Sequence, residues 1–187
     1  MISNCCVYGL DESIKASKYP KSVDIEKCNS DITNTVEKLA TCKTGTGHDQ
    51  FLTGIVVQFD LTYTIKAWTE AERYHFFDFV SSQSTMHKIT EFDLDGAYIG
   101  YVDPRMIDIM KELVDNYNAE QTAENYLKVL YSNPVGFRLT ARMTTNYRQL
   151  KIIYQQRKNH RLPEWKLFCR WIETLPHSEL ITGGKDD

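Results

Sequence analysis

Four arginines in the C-terminal half have the side-chain chemistry to hold a ligand, and they are Arg138, Arg142, Arg148 and Arg157. The first two alternate with apolar residues as in a strand, and the last two are nine residues apart, about two and a half helical turns. A guanidinium presents paired planar donors that suit a phosphate or a pyrimidine carbonyl, and Tyr147 and Tyr154 offer rings for stacking. The four arginines could converge on one ligand, or they could form a solvated face that pairs with Glu164 or Glu173.

A second candidate is the run of small polar residues at positions 81–85, which reads Ser-Ser-Gln-Ser-Thr. It follows a segment that carries Arg73 and His75. Successive hydroxyl groups and free backbone N–H groups can form a cradle for an anion, but the same composition is typical of a polar turn. The run lacks the GxSxG pattern of a hydrolase nucleophile, so it gives no support for a serine hydrolase.

Other patterns point away from phosphate loops and metal sites. The segment 43–48 contains two glycines but lacks the order GxxxxGK[ST], so it predicts a turn. The five histidines form neither an HxxxH nor an HExxH pattern, and we expect no metal site. The five cysteines form no CxxC pair, and their odd number is typical of reduced thiols in the cytoplasm.

The bulk composition is that of one ordinary folded domain, and we expect a single domain over residues 1–187. Of the 187 residues, 42% are hydrophobic and 25% are charged. The net charge of -3 gives no long-range attraction for a phosphate backbone, so we do not expect nucleic-acid binding. No apolar run approaches the roughly 18 residues of a membrane helix, and no signal peptide is evident, which predicts a cytoplasmic protein without membrane association.

Hydrophobic periodicity predicts a chain of mixed helices and strands. We expect strands at 54–63 and 137–143, and helices at about 32–40, 65–76, 106–117, 119–131, 147–157 and 163–175. The second of these helices would carry Arg73 and His75 in its last turns, and a connecting loop would follow at 81–84. Thr144 or Thr145 is expected to cap the helix after the second strand. Residues 1–29 give no readable pattern, and 177–187 predict a flexible tail.

Two stretches of sequence share their order and spacing with a known family. Residues 47–59 read GHDQFLTGIVVQF, and the triplet Arg-Tyr-His begins at position 73, fourteen positions after Phe59. Residues 146–150 read NYRQL, and Arg157 follows seven positions later. These segments resemble the motifs GHxSxxEHxxFTF, RHR and NxRxLxxxxxxR of the flavin-dependent thymidylate synthases. The similarity covers roughly residues 30 to 175.

The resemblance implies an α+β fold in which an antiparallel or mixed sheet is flanked by helices. It implies a homotetramer that holds FAD and the deoxyuridine nucleotide dUMP in sites shared between subunits. The family reduces its flavin with NADPH and takes a one-carbon unit from methylenetetrahydrofolate, so the cofactor carries the chemistry while the protein orients it.

The resemblance also assigns roles to individual residues. The flavin would be contacted by Arg73, His75, Asn146 and Arg148. Arg157 would grip the pyrimidine and Ser84 would lie near the nucleotide phosphate, which makes these two the expected catalytic residues. The full set expected to bind the nucleotide is Ser82, Gln83, Ser84, His87 and Arg157.

Four departures from the family motifs fall on the expected nucleotide and flavin sites. The segment after the RHR-like triplet is one residue longer, Ser82 replaces a glutamate, and Met86 replaces the arginine that binds phosphate. Thr53 and Gly54 replace the Glu-His pair of the first motif. Losing a charged phosphate partner typically costs about 1.5–3 kcal/mol, unless His87 or another arginine substitutes.

Two functions are therefore open. The first is a diverged, phage-type relative of the flavin-dependent thymidylate synthases, a methyltransferase that binds FAD, a deoxyuridine nucleotide or both, with altered chemistry. The second is a non-catalytic viral or mobile-element protein that keeps the scaffold and uses its surface to bind a protein partner.

Overall fold

The computed structural model describes residues 1–183. Within them, four strands form one sheet in the order β1-β2-β4-β3, with every neighbouring pair antiparallel. The strands are β1 (Ile2–Tyr8), β2 (Val56–Thr64), β3 (Asp78–Ser82) and β4 (Arg138–Asn146). The helices are α1 (Leu10–Ala16), α2 (Asn34–Thr41), α3 (Ile65–Ala71), α4 (Thr85–Lys88), α5 (Leu94–Ala97), α6 (Pro104–Ala119), α7 (Ala123–Ser132), α8 (Tyr147–Arg157), α9 (Pro163–Ile172) and α10 (Glu179–Thr182). The predicted α+β fold with an antiparallel sheet is confirmed.

One face of the sheet forms the floor of the main hydrophobic core. Alternate residues of β2 point to this face and are buried, as the period of two along a strand requires. Phe59 lies at the centre, with its ring centroid 5.8 Å from that of Phe168 and 4.5 Å from that of Trp171. Burying an apolar side chain of this size contributes about 1.5–3 kcal/mol. The core therefore fixes α8 and α9 against β2 and β4.

A second, smaller core lies between α5, α6, α7 and the start of β4. Its buried residues include Met110 on α6, Val129 on α7 and Tyr98 after α5. Phe137 packs edge-to-face on Tyr98, with their ring centroids 5.2 Å apart. The helices expected at 106–117 and 119–131 are confirmed as α6 and α7, and both belong to this core.

The chain after α3 differs from the prediction. The expected helix over 65–76 ends at Ala71, so Arg73 and His75 lie in a turn rather than on a helix. Phe77 explains the early end, because its ring is buried against Phe59 and Phe168 and the chain must reverse to place it there. The loop expected at 81–84 is also wrong in part, since Ser82 ends the edge strand β3, which pairs with β4.

Helix α8 begins at a different cap from the one predicted. Asn146 is the N-cap, and its side-chain oxygen accepts a hydrogen bond of 2.9 Å from the backbone nitrogen of Gln149. Thr144 and Thr145 lie in β4 instead, since β4 continues to Asn146 beside β2. The predicted helix itself, over 147–157, is confirmed.

The two ends of the described chain pack against the fold. Residues 2–8 form β1 and pair antiparallel with β2, which the sequence did not indicate because most of their side chains are exposed. The sequence predicted a flexible tail from residue 177. Up to residue 183 the structure differs, because α10 packs on α8 and α2 with Leu180 and Ile181 buried. Residues 184–187 lie outside the described residues. Within residues 1–183, no helix is both long and apolar enough to cross a membrane.

Replacing Leu180 tests whether the C-terminal segment belongs to the core. The side chain is fully buried, so Leu180→Ala should lower the free energy of unfolding by about 2–5 kcal/mol. Leu167→Ala on α9 is the matched control, because that side chain is 55% exposed. Urea denaturation measures both changes, and equal small losses would show that the segment from residue 177 is not packed.

Candidate functional site

The start of α8 and the turn after α3 border a pocket of about 810 Å³, which we call the α8 pocket. Its volume is within the range of small-molecule and cofactor sites. It is lined by Gln50, Thr53, Arg73, Tyr74, His75, Phe76, Asn146, Arg148, Gln149, Ile152, Gln156 and Arg157. The structure thus brings together five residues that the sequence predicted as ligand contacts, namely Arg73, His75, Asn146, Arg148 and Arg157.

A buried carboxylate positions Arg148 in this pocket. Asp49 is fully buried, and its Oδ1 accepts a 3.0 Å hydrogen bond from Arg148 Nε. Its Oδ2 accepts a 2.8 Å hydrogen bond from Lys151 Nζ, and the Lys151 side chain is only 1% exposed. Arg148 itself is 27% exposed, so the rest of its guanidinium is presented to the pocket. Sequence reasoning missed Asp49 and Lys151, although a lysine between Leu150 and Ile152 on an apolar helix face is an unusual residue type for a core.

Lys151 connects the same carboxylate to the end of α2. Its ammonium group also donates to the carbonyl oxygens of Ala40 at 2.6 Å and Cys42 at 2.7 Å. With Asp49, these bonds use all three of its N–H donors. The carbonyls at a helix end have no partner within the helix, so the lysine satisfies groups that burial would otherwise leave unpaired. The Asp49–Lys151–Arg148 cluster therefore joins α2, the segment before β2 and α8.

Arg157 lies in the pocket wall within a second polar network. Its Nη1 is 3.1 Å from Glu70 Oε2, and its Nε donates to the hydroxyl of Tyr74 at 2.7 Å. The guanidinium carbon also lies 4.8 Å from the ring centroid of Trp165. These partners take two of the five N–H donors of Arg157, so the others remain for a ligand.

Glu70 is the centre of that second network. Partial burial pushes its pKa upward, but hydrogen bonds from Lys66 and Trp165 and the charge of His160 outweigh this, and the pKa is lower than usual. Glu70 is thus a carboxylate at neutral pH, and it holds the guanidinium of Arg157 in one orientation. Burial raises the pKa of the neighbouring Tyr74, whose hydroxyl therefore remains protonated.

The turn at 72–77 presents an aromatic ring to the pocket in a strained backbone conformation. Phe76 has φ of 57°, in the left-handed region that a residue with a side chain rarely adopts, yet its side chain is 65% exposed. Its carbonyl oxygen accepts a 2.7 Å hydrogen bond from Thr145 Oγ1 on β4, which holds the turn in place. Arg73 and His75 on the same turn are exposed. Backbone strain of this kind is found preferentially at binding sites.

The serine-rich run does not reach the α8 pocket within one copy of the described chain. Ser82 and Gln83 border a separate, smaller pocket beside α3. Gln83 is held by β4, because its Oε1 accepts a hydrogen bond of 2.9 Å from the backbone nitrogen of Thr140. Ser84 is the N-cap of the short α4, and His87 is exposed on its last turn. Within one protomer, the serine-rich run and the arginines of the α8 pocket therefore border different pockets.

Two of the four candidate arginines also point elsewhere. Arg138 donates to the backbone oxygen of Gly96 at 2.6 Å. Arg142 lies on the sheet face opposite the main core, where it binds the backbone oxygen of Asn4 and the carboxylate of Asp60. The alternation along β4 puts these side chains away from α8, so only Arg148 and Arg157 of the four meet at the pocket.

Comparison with solved structures identifies the fold. The chain superimposes on the crystal structure of the flavin-dependent thymidylate synthase ThyX from Helicobacter pylori complexed with FAD and dUMP, with a TM-score of 0.73, 14% identity and 97% of each chain covered. The chain has the flavin-dependent thymidylate synthase fold. The UMP/dUMP methylase PolB from Streptomyces cacaoi, bound with 5-Br UMP, is similar with a TM-score of 0.60, 13% identity and coverage of 92% of this chain and 88% of that chain. No protein-family model matches the sequence, and a comparison with curated proteins finds no significant match.

The structure gives a packing reason for one departure from the motifs of the flavin-dependent thymidylate synthases. Where the motif has histidine, this chain has Gly54, and a Cβ there would lie 2.4 Å from the hydroxyl oxygen of Ser13 on α1. A Cβ on Gly9, the N-cap of α1, would likewise lie only 2.6 Å from the carbonyl oxygen of Gly54. The glycine therefore admits α1, while its neighbour Thr53 still lines the α8 pocket.

The chemistry of the α8 pocket suits a planar, anionic ligand. It offers guanidinium groups, an exposed ring and the N-terminal end of a helix, whose backbone dipole favours negative charge. It offers no thiol, since none of its lining residues is a cysteine. No group of three metal-ligating side chains occurs within residues 1–183. The pocket thus has the features that would bind and orient a flavin or a nucleotide.

Removing Asp49 tests the buried cluster. Asp49→Asn should lower the free energy of unfolding by about 3–5 kcal/mol, because it leaves the Lys151 charge buried without a counter-charge. The double variant Asp49→Asn/Lys151→Met should recover part of the loss, and urea denaturation of the four proteins gives the coupling energy. Asp24→Asn, from the exposed pair with Lys27, is the control and should have a much smaller effect. Additive single losses would contradict the cluster.

The pH dependence of stability tests the network around Glu70. A carboxyl whose pKa is lower in the folded state stabilises that state above its ordinary pKa, and this contribution is lost as the pH falls through the folded pKa. Glu70→Gln should therefore lower the free energy of unfolding by about 1 kcal/mol at pH 7. The difference from wild type should shrink as the pH is lowered below about 4. Glu112→Gln on α6 is the exposed control, and a pH-independent loss for Glu70→Gln would refute an ionic role.

Proposed function

We propose that this protein is a flavin-dependent, thymidylate synthase-like enzyme that binds FAD and a deoxyuridine nucleotide at the α8 pocket. The observation that carries the proposal is the meeting of Arg73 with Asn146, Arg148 and Arg157 at one pocket, although Arg73 lies in the turn after α3 and the other three belong to α8 and its N-cap. The fold supports it, because similar structures were crystallised with FAD and dUMP or with 5-Br UMP. The reaction proposed is transfer of a one-carbon unit to a uracil base.

Each residue of the pocket then has a distinct task. Arg148, fixed by Asp49, would donate to a carbonyl or phosphate of the flavin, and Asn146 would add its amide nitrogen, because its oxygen is used by the helix cap. Arg73 would bind the anionic part of the ligand from the opposite side of the pocket, and Phe76 would stack on the flavin ring. Arg157, held by Glu70, would bind the pyrimidine carbonyl. A bound flavin would supply the redox chemistry that these side chains lack.

The nucleotide site would be completed by a second copy of the chain. The proposed nucleotide contacts Ser82, Gln83, Ser84 and His87 lie on and after β3, an edge strand whose residues are all exposed. Phe79 and Val80 on this edge expose apolar surface, as a subunit interface would. The proposal therefore includes a homo-oligomer. From the family resemblance, it also includes NADPH as reductant, methylenetetrahydrofolate as one-carbon donor and a cytoplasmic location.

A flavin titration tests the proposal, with a variant that separates binding from folding. Wild-type protein should quench FAD fluorescence saturably and should show a further thermal shift with dUMP. Phe76→Gly should bind FAD at least about fivefold more weakly, because it loses a stacking ring. It should not lower the free energy of unfolding, because glycine relieves left-handed strain of about 1 kcal/mol.

His177→Gly is the matched control for this variant. His177 also has a positive φ, of 52°, but it does not line the α8 pocket. The His177→Gly variant should therefore bind FAD as the wild-type protein does. A wild-type protein that takes up neither FAD nor dUMP would overturn the proposal and favour a non-catalytic protein that binds a partner through its surface.

A further inference from the structure

A second pocket of about 880 Å³ lies beside the α8 pocket and has no role in the proposed function. It is formed by the segment after α1, by one face of α2 and by residues 47–51, and we call it the lysine pocket. Gln50 lines both pockets, so they are neighbours, with the Asp49–Lys151 pair buried beside Gln50. The segment 16–29, which has no readable sequence pattern, thus builds a wall of a cavity.

The lysine pocket has a positive rim in a chain that is negative overall. Lys18, Lys21 and Lys27 line it, whereas no Asp or Glu is among its described lining residues. Two of these lysines have partners at the rim: Lys18 donates to Asn29, and Lys27 lies 3.4 Å from Asp24 in an exposed pair. An exposed pair of this kind contributes little and exchanges readily for a ligand anion. Asp24 and Asp31 contact lining residues from outside the pocket, but the lining itself has three lysines and no carboxylate in a chain of net charge -3.

The floor of the lysine pocket is apolar. Leu39 on α2 and Phe51 in the turn before β2 are partly buried there, and Phe51 also packs against the main core. A cavity with an apolar floor, an aromatic ring and a few cationic groups on one side fits a molecule that has an aromatic, apolar end and an anionic end. Burial of the apolar end would supply affinity, and the lysines would fix its orientation.

We propose that the lysine pocket is a second binding site, for a small aromatic molecule that carries an anionic group. The aromatic body lies on Leu39 and Phe51, and the anion meets Lys21 and Lys27 at the rim. The site is separate from the α8 pocket and does not depend on flavin or nucleotide binding there.

A pair of matched fluorescent probes tests this site on the full chain. One is 1-anilinonaphthalene-8-sulfonate, and the other is N-phenyl-1-naphthylamine, the same ring system without the sulfonate. The sulfonate probe should bind more tightly than the uncharged probe. The double variant Lys21→Gln/Lys27→Gln should weaken binding of the sulfonate probe about fivefold and leave the affinity for the uncharged probe unchanged. Lys15→Gln/Lys38→Gln makes the same change in charge outside the lining and should have little effect on either probe.

A blocking variant locates the probes. Thr35 is exposed on α2 and lines the lysine pocket, so Thr35→Trp should fill it and abolish most binding of both probes. Lys38→Trp on the same helix lies outside the lining and is the control for the added ring. Unchanged binding to Thr35→Trp would overturn the proposal. If only Arg73→Gln abolished binding of the sulfonate probe, the probe would be assigned to the α8 pocket and the proposal would be overturned. Equal affinity of the two probes for the wild-type protein would also overturn it.

Discussion

A fully buried carboxylate, Asp49, holds the region of both pockets together. Two cations bind its two oxygens, and one of them, Lys151, also binds carbonyls at the end of α2. A buried charge is tolerated only when its partners and hydrogen bonds replace the water that it has lost. The arrangement of α2, the segment before β2 and α8 is therefore tied to the position of one carboxylate, and so is the direction of Arg148 into the α8 pocket.

The opposite wall of the α8 pocket depends on strain held by packing. Phe77 must enter the core, so the chain turns sharply after Ala71 and leaves Phe76 in a left-handed conformation with its ring outside. The hydrogen bond from Thr145 fixes that turn against β4. The two walls have different origins, one electrostatic on α8 and one steric on the turn that Thr145 of β4 holds. Because α8 follows β4 directly in the chain, residues more than seventy positions apart in sequence border one pocket.

The sequence was sufficient to predict elements with strong periodicity and the fold to which they belong. The β-branched and aromatic density of β2, the alternation in β4 and the apolar face of α9 indicated these elements, because burial leaves a direct pattern in the residues. The N-terminal strand was not predictable, since β1 lies at the sheet edge with mostly exposed side chains and shows no such pattern. The helix end at Ala71 and the packed α10 were missed because distant contacts, with Phe59 and with α8, decide them.

Site prediction had a similar limit. The spacing of Asn146, Arg148 and Arg157 was readable, because one helix and its N-cap carry all three and the family motif marks them. The partners that orient them, Asp49 and Glu70, come from other elements, and a single sequence contains no record of those contacts. The serine-rich run was placed near the arginines by motif order alone, but the pairing of β3 with β4 puts it elsewhere in the protomer. Motif order thus indicated the residue types without specifying where in the protomer they lie.

The position of bound flavin is the most direct test of this account. Hydrogen–deuterium exchange with and without FAD should show protection of backbone amides at 73–77 and 146–152, the two segments that form opposite walls of the α8 pocket. Protection centred on 17–29, or no change in either wall at saturating FAD, would contradict it.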